Sequence, residues 1–159
     1  MSRPFKIRKQ QTGSMVLEAL IGILIFSLGI LAVVGLLAAS TKSAGDAKYR
    51  SDASLLANQL VGQMLESINR TSTSAQQLTS LQASFSSPSG PAYLAWLNQV
   101  AAYLPDAVGA SAVQPTVVIT QTPVTSATTP SNQAVITLKW NSPNEAVGLH
   151  KYIAVAQIR

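Results

Sequence analysis

Few residues of this chain are suited to acid, base or nucleophilic chemistry. Its 159 residues include no cysteine and a single histidine, so a thiolate nucleophile is excluded and a serine triad would depend on His150. His150 lies in a predicted strand, and neither Asp106 nor Glu145 has the spacing of a catalytic motif around it. We therefore predict a structural or solvent-exposed histidine in a protein that is not an enzyme.

Metal and cofactor sites have equally little support. The six acidic residues are spread over the chain, without a D-x-D-x-D-G loop, a histidine pair or a cysteine cluster. The motifs G-x-G-x-x-G, G-x-x-x-x-G-K and G-x-S-x-G do not occur either. The sequence predicts no metal and no cofactor.

The one ionisable residue in an unusual setting is Glu18. It precedes 23 consecutive uncharged residues, Ala19 to Thr41. As a helix at ~1.5 Å per residue they would cover ~35 Å, which exceeds the ~30 Å apolar core of a bilayer. We predict that residues 14–41 span a membrane. A charged group at the bilayer centre costs ~2.5 to 3.5 kcal/mol, less near the end of a span, and usually has a partner.

Positive charge is concentrated before this segment. Four of the eleven Lys and Arg residues precede Gly13, and the seven that follow leave a net charge of +1 against six acidic residues. This asymmetry predicts a cytoplasmic N-terminus and a remainder on the other side of the membrane. The scattered charges of that remainder do not predict a nucleic-acid partner. The alternative is an ordinary secretory signal peptide, but its apolar stretch is usually only ~7 to 15 residues long.

The stretch Gly13-Ser14-Met15-Val16-Leu17-Glu18 follows a short basic leader and precedes an apolar helix. In this it resembles the processing signal of type IV pilins and the related pseudopilins. The resemblance implies that prepilin peptidase removes residues 1–13 by cutting between Gly13 and Ser14, and then methylates the new amine of Ser14. Glu18 becomes the fifth mature residue. The pair Ser14-Met15 departs from the more usual Phe or Met followed by Thr or Ser.

The spacing of Ser14 and Glu18 has a physical meaning of its own. Cleavage would delete four positive charges and create an ammonium four residues before a carboxylate, at the boundary of an apolar medium. Opposite charges attract strongly where the dielectric constant is low, but each is costly to bury alone. We therefore predict that Glu18 pairs with the Ser14 amine of a neighbouring subunit during assembly. The alternative is a Glu18 side chain that reaches the membrane interface.

The residues after the membrane segment are predicted to form a folded head that is connected to Ser14 and Glu18 through one long helix. Apolar residues recur at helical spacing after the membrane segment, so Met15 to about Asn69 reads as one helix with an amphipathic second half. The predicted apolar face consists of Tyr49, Ala53, Leu56, Leu60, Met64 and Ile68. The periplasmic head domain is predicted to comprise residues 42–159.

The rest of the head reads as one short helix and three strands. Thr71 to Gly90 is predicted to be a loop with a helical turn near Gln76 to Ala83, and a helix follows between Pro91 and Pro105, with Trp96 as an anchor. The strands are predicted at Thr116–Gln121, Gln133–Trp140 and Leu149–Ile158. We predict an α+β fold in which an antiparallel sheet packs on the long helix, the arrangement that a type IV pilin-like fold implies.

The head also carries a narrower resemblance. Trp96-Leu97, Tyr103-Leu104-Pro105 and the strand ending Ile136-Thr137-Leu138-Lys139-Trp140 are similar to the PilV family of minor pilins, the type IV pilus modification proteins. The resemblance implies hetero-oligomeric assembly with other minor pilins and the major pilin, at the inner-membrane assembly platform and then at the pilus tip on the cell surface. It also implies roles in twitching motility and adhesion. A type II secretion pseudopilin, a tip-binding module and a singly anchored periplasmic domain are the alternatives.

Overall fold

A computed structural model describes residues 12–109, 114–122, 130–143 and 149–159. Helix α1 runs from Thr12 to Ser67. Its end is marked by Asn69, whose Oδ1 accepts from the Thr71 amide at 3.1 Å and turns the chain. The predicted long helix is confirmed to within three residues at each end. The chain divides into two compact units, Met1–Ser43 and Ala44–Arg159, and α1 contributes its first half to one and its second half to the other.

The region predicted to be a loop contains a complete helix, α2, from Ser74 to Phe85. The prediction of a mere turn was wrong because the Ser, Thr and Gln content obscured a capping box. The Thr73 hydroxyl accepts from the Gln76 amide, and the Gln76 side chain accepts from the Thr73 amide. Burial of Leu81 and Phe85 completes the stabilisation of this helix. The head therefore has two additional helices instead of the predicted one.

The second of these, α3, runs from Pro91 to Tyr103 and agrees with the prediction. Pro91 occupies the first turn, where the missing N–H costs no hydrogen bond. Gly90 precedes it because the chain passes very close to α2 there: a Cβ on Gly90 would meet the Ser84 carbonyl oxygen at 2.5 Å. The short connection between α2 and α3 thus requires glycine.

Three antiparallel strands form one sheet in the order β1-β2-β3. They are Thr116–Gln121, Asn132–Asn141 and Leu149–Ile158, so two predicted strands are confirmed and the middle one is longer by a residue at each end. The register places Ile136 beside Val117 on one side and Ala154 on the other. The alternation predicted for β2 is confirmed, since every second residue from Ala134 to Trp140 is buried.

The core of the head lies between the second half of α1, the two short helices and the inner face of the sheet. Leu60 and Met64 of α1 are fully buried, while Tyr49 and Ile68 at the ends of the predicted face are partly buried against the cluster. Trp96 is a core residue whose Nε1 donates to the Leu56 carbonyl of α1 at 2.9 Å. The protein therefore has the predicted α+β layout.

Candidate functional site

The first half of α1 exposes an apolar surface on all its sides. Every residue from 13 to 44 is exposed, and none of the most apolar 18-residue window is buried. Met15 is 76% exposed and Leu36 is 72% exposed. A helix that is apolar all round requires a membrane or other helices to cover it. By length and composition it is able to cross a bilayer.

The predicted processing site lies in the first two turns of α1. Gly13 and Ser14 are both exposed, so the peptide bond between them sits at the exposed beginning of the helix. Glu18 is exposed one turn later, four residues from Ser14 and therefore on the same side of the helix. The structure thus brings these three residues together at one end of α1. The basic residues of the predicted leader, 3–9, lie outside the described residues.

Glu18 differs from the polar side chains farther along the apolar half. The Ser27 hydroxyl donates to the Ile23 carbonyl at 2.7 Å, and the Thr41 hydroxyl donates to the Leu37 carbonyl at 2.9 Å. Such bonds let a hydroxyl enter an apolar medium with its donor satisfied. The Glu18 carboxylate, in contrast, has no hydrogen bond or ion pair with any residue that the structure describes. A cover that shields this carboxylate from water would also have to supply its partner.

The glycines of the apolar half leave open space beside the helix in the part of the chain that the structure describes. A Cβ added at Gly22, Gly29 or Gly35 would meet no atom within 4 Å. Gly29 forms the floor of a shallow apolar groove between Phe26, Ile30 and Val33. Small residues in an apolar helix allow another helix to approach closely. These positions offer a surface for helix packing that no described residue occupies.

Of the three residues considered for catalysis, the structure describes His150 and Asp106. The His150 ring is half-buried and stacks on Trp140, with 5.6 Å between the ring centroids and 15° between the planes. Asp106 is an exposed turn residue with a φ of 51°, and Glu145 lies outside the described residues. Within the described ranges, no three His, Asp or Glu side chains are grouped so that they could hold a metal ion.

Sequence reasoning missed a groove between the second half of α1 and α3. It has a volume of about 350 Å³ and is lined by Asp52, Leu55, Leu56, Gln59, Gln99 and Tyr103. One oxygen of Asp52, Oδ2, is buried without a hydrogen-bond partner among the described residues. No local signal could have revealed it, since the groove exists only where two helices distant in sequence meet.

Comparisons with known proteins identify no relative. No family model, curated protein or solved structure matches the chain. The function must therefore be argued from the residues and their geometry.

Proposed function

We propose that this chain is a minor pilin of the PilV type, which prepilin peptidase processes and which joins other minor pilins in a complex that primes pilus assembly. The observation that carries the proposal is the Glu18 carboxylate, which is exposed and has no partner among the described residues, on a half-helix that is otherwise uncharged as far as Thr41. The same helix continues into the core of a folded head. A subunit that is stored in a membrane and then packed into a filament needs both properties.

The proposed maturation is an amide hydrolysis followed by a methyl transfer. Water adds to the Gly13–Ser14 peptide bond, giving a carboxylate on Gly13 and an ammonium on Ser14. The Ser14 ammonium then loses a proton, and its nitrogen takes a methyl group from a sulfonium methyl donor, which leaves as a neutral thioether. The product is a secondary ammonium with the same single positive charge. The exposure of both residues at the beginning of α1 supports access to this bond. The leader carries away four positive charges that would oppose extraction from the membrane.

The proposed assembly contact joins the Ser14 ammonium of one subunit to the Glu18 carboxylate of its neighbour. Two unit charges 4 Å apart attract by ~4 kcal/mol at an effective dielectric constant of ~20. Part of this gain is offset by the loss of water around both groups. The net effect is directional, because any shift of one helix along the other leaves two charges unpaired. The pair would therefore set the axial register of the subunits.

The mature N-terminus tests this proposal directly. Intact mass and terminal peptide sequencing are compared for the chain expressed with and without prepilin peptidase. We expect a start at N-methylated Ser14 that is lost when the enzyme is absent. A start near Thr41, or an uncut Met1 in the presence of the enzyme, would overturn the proposal and leave a secreted or simply anchored domain.

A type II secretion pseudopilin is the second candidate, because the apolar half of α1 and Glu18 would suit packing into a secretion filament equally well. Deletion of the gene separates the two functions. Loss of twitching with normal secretion identifies a pilus subunit. Loss of secretion with normal twitching identifies a pseudopilin.

A further inference from the structure

The two edge strands of the sheet differ in how much of their outer backbone is hydrogen-bonded. Strand β1 is closed along its outer edge by α2 and the segment after it. The Gln82 side chain donates to the Ile119 carbonyl at 2.7 Å, and the Ser87 amide donates to the Val117 carbonyl at 3.2 Å. The Val117 amide in turn donates to the Ser87 hydroxyl at 3.2 Å. These bonds leave little backbone on that edge for another strand.

Strand β3 forms the opposite edge, and no strand among the described residues pairs with its outer side. Its ten residues pair with β2 in an unbroken register from Leu149 to Ile158, without a bulge, a proline or a glycine. From Lys151 to Ile158, no described residue outside β2 hydrogen-bonds to the backbone. Bulges, prolines and covering elements are the usual devices that prevent further pairing at an edge. Apart from Lys151, the described part of the chain supplies none of them at this edge.

The outer face of the sheet beside this edge is apolar in its middle. The register aligns Val118, Val135 and Val155 in one row across all three strands. Val118 is 51% exposed and Val155 is 60% exposed, and Ile153 lies exposed in the next row. A side chain from an added strand would extend either row.

Two lysines lie on the same face of the sheet. Lys139 and Lys151 stand directly opposite each other in the β2–β3 pairing, and like charges in that position repel. The three strands contain no acidic residue, and neither lysine has a carboxylate partner among the described residues. A fourth strand would lie ~4.8 Å from Lys151 and ~10 Å from Lys139. A carboxylate on it would relieve this repulsion.

We propose that β3 binds an extended acidic segment of a partner protein as a fourth strand. The segment alternates carboxylate or polar residues with β-branched residues. Its backbone pairs with Lys151–Ile158, one carboxylate lies beside Lys151, and an apolar side chain extends the row that ends at Val155. A second copy of β3 fits poorly, because it would bring another lysine and no carboxylate. This interaction is independent of leader processing and of Glu18.

In the opposing interpretation, the charge of Lys151 prevents any further strand from pairing with this edge. The two interpretations predict opposite effects of removing the charge. If Lys151 attracts a partner, Lys151→Thr weakens binding of an acidic strand. If it guards the edge, Lys151→Thr strengthens binding of every strand.

The test uses the full chain in detergent micelles and fluorescent peptides. The probe is the acetylated and amidated peptide TVEVTVEV, with TVKVTVKV as its charge-reversed twin. A third peptide keeps the acidic sequence but is methylated on every backbone nitrogen, so that it cannot donate to a sheet. Binding is followed by fluorescence anisotropy, and its location by hydrogen exchange of the β3 amides. The protein variants are Lys151→Thr, Lys151→Glu and the control Lys48→Glu, which makes the same charge change on α1.

We expect the acidic peptide to bind the wild-type chain about fivefold more tightly than its lysine twin, from charge pairing across adjacent strands. It should slow exchange at Lys151–Ile158. Lys151→Glu should reverse the preference and Lys48→Glu should preserve it. The proposal is overturned by unchanged β3 exchange, by equal binding of the methylated peptide, by tighter binding to Lys151→Thr, or by a peptide-free dimer protected at β3.

Discussion

The two halves of helix α1 have the same backbone conformation and opposite surroundings. In the first half, Leu31 is 68% exposed, whereas Leu60 in the second half is fully buried. The second half is apolar on one face only, and its own chain covers that face with α2, α3 and the sheet. The first half is apolar on all faces, and none of the described residues covers any of them. The distribution of apolar residues around the helix thus decides what buries them. An apolar stripe on one face packs on the head, whereas a surface that is apolar all round needs a membrane or other helices.

The largest effect is expected from truncating a buried leucine in the second half. Leu60→Ala should lower the free energy of unfolding of the head by ~2 to 5 kcal/mol, because it removes buried methyl groups and leaves a cavity. Leu31→Ala, the matched change in the first half, should leave it unchanged. Urea denaturation of both variants in micelles, followed by circular dichroism, measures this. Equal destabilisation by both would contradict the division into two halves.

The next effect concerns the two exposed acids of α1, Glu18 and Glu66. If Glu18 pairs with a neighbour's amine, Glu18→Val should reduce the amount of this subunit in purified pili by about tenfold or more, as the loss of a buried charge pair implies. Glu66→Val should leave incorporation unchanged. Quantitative immunoblotting of sheared pili, with the membrane level of each variant as a control, provides the measurement. Normal incorporation of Glu18→Val would remove the assembly role assigned to this residue.

Alkaline pH should distinguish the two halves, because it should destabilise the head that packs on the second half. Burial raises the pKa of Tyr93, whose hydroxyl donates to the Pro115 carbonyl at 2.7 Å. Since the unfolded state ionises first, at a pH near ~10, the stability that Tyr93 contributes is complete below that pH and is lost as the pH rises through the folded-state value. We expect a falling melting temperature of the head above pH ~10. Tyr93→Phe should cost about 1 kcal/mol at neutral pH and weaken the alkaline dependence. An unchanged alkaline slope in Tyr93→Phe would assign that dependence to other groups.

The smallest effect is expected from glycine replacement. Gly62 is an exposed position in the second half where a Cβ meets nothing, so Gly62→Ala should stabilise the head by ~0.5 to 1 kcal/mol. Gly29→Ala should not change head stability, but it should reduce incorporation into pili if another helix packs in the groove. The same melting and immunoblotting measurements distinguish the two. A Gly29→Ala variant that assembles normally would show that this groove is not a packing surface.

The sequence predicted those elements that are determined by local pattern. Strand β2 was predicted from the alternation of apolar residues between Ala134 and Trp140, and helix α3 from the prolines that flank it. Both signals act within a few residues of the chain. Helix α2 was missed although the pair Thr73 and Gln76 carries a readable capping signature. The closed edge of β1 could not be predicted, since Gln82 and Ile119 are 37 residues apart and meet only in the fold.

For the candidate site, the sequence predicted which residues to examine and the structure added their surroundings. Glu18 stands out in the sequence as a carboxylate before an uncharged stretch. Its lack of a partner among the described residues, and the internal bonding of Ser27 and Thr41, required coordinates. The groove beside Asp52 and the lysine pair on the sheet depend on contacts across helices and strands, which periodicity does not encode.

The positions of the aromatic residues have a practical consequence for optical spectroscopy. Both tryptophans lie in the core of the head, Trp96 bonded to α1 and Trp140 stacked on His150, and the first tyrosine of the chain is Tyr49. Tyrosine and tryptophan absorption and fluorescence therefore arise from the head alone. The apolar half of α1 contributes no such signal, so that an emission change on moving the protein from detergent to a bilayer or a filament would report on the head and not on the anchor.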